Sequence, residues 1–262
     1  MKSIYIIIGG QRCGTSTFHR MLSSFPELSV APKETEISSQ CLNLGYTHFV
    51  YATLVYKFGK LSEMVDCAKS CGYQVHLAMI VRHPVERAIS ELGNHRMAGR
   101  RRYYFDTSEN LETICKVIAK NSSYKTYIEE IRQKWSGDKS VSFSILRFNA
   151  IYPTPSEHVL RFLEYKFGCT SAAHLEALSF QENSTRIPKL LLLDKLVHGT
   201  GILLQNLGLY SVYNALLRLN IHQAIKRLNS KKSHAVSLEE TQKIDELLKV
   251  ILRDEINYYE TL

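Results

Sequence analysis

The sequence predicts a three-layer α/β fold of the P-loop type, with a mainly parallel central sheet and a helical C-terminal segment. Short apolar runs alternate with stretches in which apolar residues recur at helical spacing, and a glycine-rich turn joins the first run to the first helix. With 262 residues, 45% hydrophobic and 22% charged, the chain can bury one substantial core. We therefore expect one domain over residues 1–262, with an α/β core over about 1–170 and a helical segment over about 185–262.

The elements follow from these patterns in chain order. Four β-rich apolar runs are predicted to be strands, at residues 4–8, 28–31, 75–81 and 141–148. The run at 75–81, VHLAMIV, has the near-continuous apolar character of a strand buried on both faces. Helices are predicted at 15–24, from Pro84 past Glu91, after Pro155, and at 237–262, where Ser237 and Glu240 form a capping pattern. The last seventy or so residues are expected to be helical only.

The first chemical motif is GGQRCGTS at positions 9–16, placed between the first strand and the first helix. This order aims backbone N–H groups and a helix N-terminus at an anion. Thr15 stands where a Walker A loop carries its lysine, so ATP or GTP hydrolysis is poorly supported, and Arg12 supplies a cation instead. The alternative is a purely structural tight turn.

Cys13 raises a rival interpretation, a cysteine phosphatase. That chemistry would need an arginine at position 19 facing the same phosphate, but position 19 is His19 and Arg20 comes one residue too late. No Asp obviously serves as the general acid. Cys13 is better explained as a small loop residue.

The second motif is VRHPVERAIS at positions 81–90. Arg82 ends a buried strand and Ser90 lies two helical turns into the following helix. Ligands of open α/β sheets bind at the carboxyl ends of strands, so Arg82 and Ser90 could converge on one phosphate. Arg87 is the less suitable ligand, because it can pair with Glu86, Glu91 or solvent.

Together the two motifs resemble the 5′-phosphosulfate loop and the 3′-phosphate motif of sulfotransferases that use PAPS (3′-phosphoadenosine 5′-phosphosulfate). The pattern RxPVERAxS and the intervening Pro32-Lys33-Glu34 are similar to motifs of the heparan-sulfate N- and O-sulfotransferase branch and its bacterial relatives. The resemblance is clear from residue 4 to about 95. It continues weakly through 146–148, 167–168 and 183–184.

This resemblance implies a donor site. The loop residues that would hold the 5′-phosphosulfate are Gln11, Arg12, Cys13, Gly14, Thr15, Ser16 and Thr17. Arg82 and Ser90 would hold the 3′-phosphate, and PAP (3′-phosphoadenosine 5′-phosphate) would be the product. Heparan-type enzymes carry a lysine where this chain has Arg12, and no late glycine-rich basic loop is found, which leaves Arg186 and Lys189 as candidates for that part. Adenine contacts are unassigned.

The resemblance also implies catalytic residues. The acceptor must lose a proton to a general base, and Glu34 matches the Glu of the family's Lys-Glu pair. Lys33 would orient the acceptor or the sulfuryl group, Arg12 would stabilise the leaving phosphate, and Glu36 is the alternative base or an acceptor ligand. Three nearby histidines receive no catalytic role: His19, His83 and His95. No metal is expected, because the donor lacks the β,γ-phosphate unit that Mg²⁺ bridges in kinases.

Composition bears on partners and compartment. A net charge of +8 favours anionic partners, and basic clusters occur at 96–102 and 226–232. The apolar run at 4–8 is too short for a signal-peptide core, and charges interrupt 187–221, which we expect to form core helices and no membrane span. Six cysteines without paired spacing indicate reduced thiols. We expect a cytoplasmic enzyme.

The expected acceptor is a hydroxyl or amine of a carbohydrate, which can be an anionic chain, while small alcohols, lipids and peptide tyrosines stay open. No nucleic acid is expected as a partner. Two alternatives stay open. A P-loop nucleotide or small-molecule kinase would share the fold but lacks the loop lysine. A non-catalytic polyanion-binding module would use the basic surface but leaves the paired motifs unexplained.

Overall fold

The architecture was taken from a computed structural model of the chain. The structure describes residues 2–10, 12–23, 25, 28–31, 48–54, 58–97, 110–152, 186–188, 228–232 and 238–262, with scattered positions between 157 and 225.

The described residues form strands and helices in alternation. The strands are β1 (Ser3–Gly9), β2 (Ser29–Val30), β3 (His48–Leu54), β4 (Gln74–Val81), β5 (Val141–Arg147), β6 (Arg186–Pro188) and β7 (Ser230–Lys232). The helices are α1 (Thr15–Ser23), α2 (Phe58–Ser70), α3 (Pro84–Met97), α4 (Leu111–Lys120), α5 (Tyr124–Trp135), α6 (Phe148–Ile151), α7 (Leu238–Ile251) and α8 (Arg253–Thr261).

Five strands form one parallel sheet in the order β2-β3-β1-β4-β5. Residues 4–8 of the central strand β1 are all buried, so helices cover both faces of the sheet. From β1 the chain moves towards β3 and β2, whereas from β4 it moves the other way, to β5. The carboxyl ends of β1 and β4 therefore flank the switch point where open α/β sheets bind ligands.

The predicted fold class is confirmed, and β1, β4 and β5 lie within a residue or two of their predicted ends. The strand at 28–31 shrinks to the two residues Ser29–Val30 at the sheet edge. β3 was not predicted, although its sequence, HFVYATL, is rich in aromatic and β-branched residues. That strand inserts between β2 and β1, and its partners lie at distant positions in the chain.

The prediction of an exclusively helical C-terminal segment was wrong. β6 and β7 pair antiparallel, with Arg186 opposite Lys232. A three-residue strand with so distant a partner leaves no local pattern. Ile187, expected in a core helix, lies in β6, and several described apolar residues of the 187–221 stretch are exposed: Leu203, Leu207, Leu209 and Val212. The helix predicted at 237–262 is divided at Leu252 into α7 and α8. Its cap at Ser237 lies outside the described residues.

Helix α3 is anchored by its own apolar cluster, separate from the sheet core. Val85, Ala88 and Leu92 pack against α4 and α7, where Ile114, Ile118 and Ile244 are buried. None of the described helices is long and apolar enough to cross a membrane. Within the same part of the chain, no group of three or more His, Cys, Asp or Glu side chains could hold a metal ion.

Candidate functional site: the carboxyl edge of the sheet

The glycine-rich motif forms a tight loop between β1 and α1. The N–H of Cys13 donates to the carbonyl of Gly10 at 3.3 Å, and the N–H of Thr17 donates to Gly14 at 3.0 Å, which begins the helix. Arg12 has a positive φ of 69°, a conformation uncommon for any residue but glycine and often found at functional sites. The loop thus places the positive N-terminus of α1 at the carboxyl ends of the strands.

Gly14 is required by two independent constraints. Its φ is +86°, and a Cβ at this position would lie 2.8 Å from the ring of Phe148. The loop therefore approaches the end of β5 as closely as backbone alone permits.

The second motif meets this loop. Nε of Arg12 donates to Oγ of Ser90 at 3.0 Å, across 78 positions of sequence. Nη1 of Arg82 lies 3.5 Å from the carbonyl oxygen of Arg12. The two sequence motifs are thus brought together at the switch point between β1 and β4.

Arg82 is held by an aromatic ring and a carboxylate. Its guanidinium carbon lies 4.5 Å from the ring centroid of Phe148, a cation–π distance, and its Nε lies 3.4 Å from Glu86. Phe148 in turn packs on Tyr152 at 4.8 Å between centroids. Phe148 therefore bridges the loop and Arg82, a role that the weak resemblance at 146–148 did not assign.

The electrostatics of the site favour anions. Burial lowers the pKa of Arg12, the neighbouring Arg82 cation lowers it further, and Glu91 opposes both. Arg12 nevertheless stays charged at neutral pH, because guanidinium groups are not deprotonated in proteins. The Arg12 and Arg82 guanidinium groups repel each other, so an anion bound between them would stabilise both.

Cys13 lacks the solvent exposure and the lowered pKa of a cysteine nucleophile. Its side chain is fully buried, and its Sγ lies 3.3 Å from the hydroxyl of Tyr124, the first residue of α5. Burial raises the pKa of the Cys13 thiol, and the hydrogen bond to Tyr124 only partly opposes this. A buried, protonated thiol supports its interpretation as a small loop residue.

A cavity of about 140 Å³ opens beside Arg82 at the carboxyl ends of β4 and β5. It is lined by Arg82, His83, Glu86, Arg147, Phe148, Asn149, Tyr259 and Glu260. Nη2 of Arg147 donates to the carbonyls of Tyr259 (3.1 Å) and Glu260 (3.2 Å), so the last turn of α8 forms one wall. Nδ1 of His83 is buried and has no hydrogen-bond partner among the described residues. The sequence did not predict that Arg147, Tyr259 and His83 line a cavity, because no local signal links α8 to β5.

Of the remaining predicted site residues, some are described by the structure and others are not. The side chains of Thr15 and Thr17 are buried, whereas Ser16 is exposed at the start of α1. Gln11, Lys33, Glu34, Glu36 and Lys189 lie outside the described residues. The chain leading to Lys33 is fixed nearby, because Nε2 of the buried His19 lies 2.6 Å from the carbonyl oxygen of Ala31. His19 thus packs α1 against the end of β2, consistent with its having received no catalytic role.

Comparison with known proteins supports the fold. No protein-family model matches the sequence, and no curated protein matches it. The structure is similar to that of a mouse sulfotransferase, SULT7A1, complexed with PAP. The TM-score is 0.50 at 13% identity, over 96% of this chain and 85% of that one. The chain therefore has the α/β fold of a sulfotransferase, while the resemblance to the heparan-sulfate branch stays a prediction.

Proposed function

We propose that this protein is a sulfotransferase that moves a sulfuryl group from PAPS to a hydroxyl or amine of an acceptor, with a carbohydrate as the acceptor class. One observation carries the proposal: Arg12 and Ser90, from two motifs 78 positions apart, are hydrogen-bonded at the switch point of the sheet. The fold shared with a sulfotransferase complexed with PAP adds support.

In this proposal the phosphate loop binds the 5′ end of the donor. The amides at the start of α1 and the Arg12 guanidinium would hold the phosphosulfate and stabilise the negative charge that grows on the leaving phosphate. Cys13 would contribute through its backbone, because its thiol faces Tyr124. Gln11, Gly14, Thr15, Ser16 and Thr17 complete the proposed loop site.

Arg82 and Ser90 would bind the 3′-phosphate. Arg82 is already oriented by Phe148 and Glu86, so little side-chain freedom is lost on binding. The adjoining cavity gives room for an anionic group beside this guanidinium. A ligand without a 3′-phosphate would leave both side chains without their proposed partner.

Transfer needs one proton acceptor. The sulfuryl group passes from the 5′-phosphate oxygen to the acceptor oxygen or nitrogen, and the acceptor's proton goes to a general base. We assign this role to Glu34, with Lys33 orienting the acceptor. In line with general-base catalysis, Glu34→Gln should lower kcat by about 10² to 10⁴-fold with PAP affinity unchanged. Glu36→Gln is the control, and a larger loss in Glu36→Gln would transfer the role to that residue.

Calorimetric titration tests the donor site. Wild-type protein is titrated with PAP, with AMP, and with ATP plus Mg²⁺, and the PAP titration is repeated on Arg82→Ala. We expect PAP to bind more tightly than AMP, and Arg82→Ala to lose about tenfold or more in PAP affinity, as for one charge-assisted contact. Arg161→Ala is the matched control, because Arg161 also pairs with a glutamate four residues away but is exposed.

The possible results have distinct consequences. Equal affinity for PAP and AMP would exclude a 3′-phosphate site, and preference for ATP with Mg²⁺ would favour a kinase. Tight PAP binding justifies a screen of sugar acceptors with PAPS. The cytoplasmic location expected from the sequence stays a prediction.

A further inference from the structure

Arg87 is fully buried, although arginine is among the residues least often found inside proteins. All three guanidinium nitrogens are engaged. Nε donates to Oγ of Ser122 at 2.5 Å, Nη2 donates to the carbonyl of Ile118 at 2.7 Å, and Nη1 donates to Oε2 of Glu91. One side chain of α3 is thereby tied to the end of α4 and to the turn that follows it.

A second layer of hydrogen bonds closes this network. Oγ of Ser122 donates to the carbonyl of Pro84 at 3.1 Å, at the first residue of α3. Nδ2 of Asn121 donates to Oε1 of Glu91 at 2.9 Å. The turn between α4 and α5 therefore holds α3 at its first residue and again at Glu91.

The same network lies directly under the phosphate loop. A Cβ built on Gly10 would lie 3.3 Å from the carbonyl oxygen of Asn121 and 3.8 Å from Cδ of Arg87. Ser90, which precedes Glu91, has its hydroxyl 3.0 Å from Nε of Arg12. The rotation of α3 about its axis thus decides whether Ser90 meets the loop.

Stability alone does not require a buried ion pair here. The apolar side chains of Val85, Ala88 and Leu92 already anchor α3, and well-packed hydrophobic residues often replace buried ion pairs without loss. What a guanidinium adds is a rigid planar fork with fixed donor directions, which a lysine cannot reproduce. Two of its acceptors lie outside α3, the Ile118 carbonyl and the Ser122 hydroxyl, and together they fix one rotational setting of the helix.

We infer that Arg87 is a positioning residue that sets the rotation of α3 so that Ser90 engages Arg12 before any ligand binds. Arg87 does not touch the ligand; it acts through Glu91 and Ser122. The inference rests on the proposed function only in the choice of nucleotides for one of its two readouts.

The first readout needs no ligand. The Nε–H resonance of Arg12 is observed by ¹⁵N NMR in the nucleotide-free protein and assigned by its absence from Arg12→Lys. We expect the signal in Arg87→Lys to move towards its solvent-exposed position and to exchange faster with water, because Ser90 no longer faces Arg12. Ile128→Ala, which removes a buried side chain of the sheet core outside the apolar cluster that anchors α3, should leave the resonance in place.

The second readout is the ratio of PAP to AMP affinity. For a lost charge-assisted contact we expect Arg87→Lys to lower PAP affinity by about tenfold and AMP affinity by less than about twofold. Ile128→Ala should keep the ratio. Should Arg87→Lys not fold, Ser122→Ala carries the same test, because it removes a single acceptor of the Arg87 fork.

An unchanged Arg12 resonance in Arg87→Lys, or a shift no larger than in Ile128→Ala, would overturn the inference. A wild-type protein that binds PAP and AMP equally would instead overturn the proposed function. In that case the resonance alone still decides whether Arg87 positions Ser90.

Discussion

The parallel sheet has a carboxyl edge, where its strands end, and an amino edge, where they begin. Each edge has an ion pair and a glycine with a positive φ, but in different surroundings. At the carboxyl edge, Arg87 pairs with Glu91, both almost wholly inaccessible to solvent, and Gly14 has a positive φ. At the amino edge, Lys69 pairs with Asp138 at 2.5 Å, both partly exposed, and Gly72 has a positive φ.

These different surroundings change how much each ion pair and each glycine contributes to stability. Water and salt screen the pair at the amino edge, and a Cβ added at Gly72 would meet no heavy atom of the described residues within 4 Å. At the carboxyl edge the pair has no solvent to replace a lost partner, and Gly14 lies against Phe148. The amino edge therefore tolerates a lost partner or an added Cβ, whereas the carboxyl edge is closely packed around the glycine-rich loop.

The largest contrast is expected from breaking each ion pair. Arg87→Met leaves the Glu91 carboxylate buried without its cation and should lower the free energy of unfolding by about 3–5 kcal/mol. Lys69→Met leaves Asp138 in contact with solvent and should shift the urea midpoint only slightly. Urea denaturation of both variants gives the comparison, and similar losses would show that burial does not separate the two pairs.

The glycines give the second contrast. Both Gly14→Ala and Gly72→Ala place a Cβ in the left-handed region, at about 1–2 kcal/mol. Gly14→Ala should lose about 1–3 kcal/mol more, because its Cβ overpacks against the Phe148 ring. Thermal unfolding measures the difference, and PAP titration should show lost binding for Gly14→Ala alone. Equal destabilisation would mean that Phe148 moves aside without cost.

The smallest effect is the acid response of the amino edge. The hydrogen bond from Lys69, followed by those from Ser140, lowers the pKa of Asp138 from 3.8 to about 2. Because the folded-state pKa is depressed, this stabilisation is present above pH 3.8 and is lost as the pH falls towards about 2. Asp138→Asn should therefore flatten the fall of the urea midpoint across that window. An unaltered slope would assign the acid response to other carboxylates.

The sequence predicted the parts of the fold that have local signatures. β1 and β4 are mostly apolar because both of their faces are largely buried, and Pro84 starts α3. β3 and the β6–β7 pair were missed, since their pairing depends on partners distant in the chain. The same division holds for the site. The motifs named Arg12, Arg82 and Ser90, but no local pattern reports the packing of Phe148 on Gly14 or the wall that α8 forms beside Arg147.

By itself, the sequence determined an α/β chain with a lysine-free glycine-rich loop after the first strand and an Arg-Ser motif after a second buried strand. It could do so because hydrophobic periodicity and turn residues act over a few positions. The tertiary structure decided which side chains meet. It assigned Arg87, which the sequence left as a residue paired with Glu86, Glu91 or solvent, to a buried network under the loop. The reason is physical: a hydrogen bond between residues far apart in the chain exists only once packing has fixed both ends, and that packing is a property of the whole core.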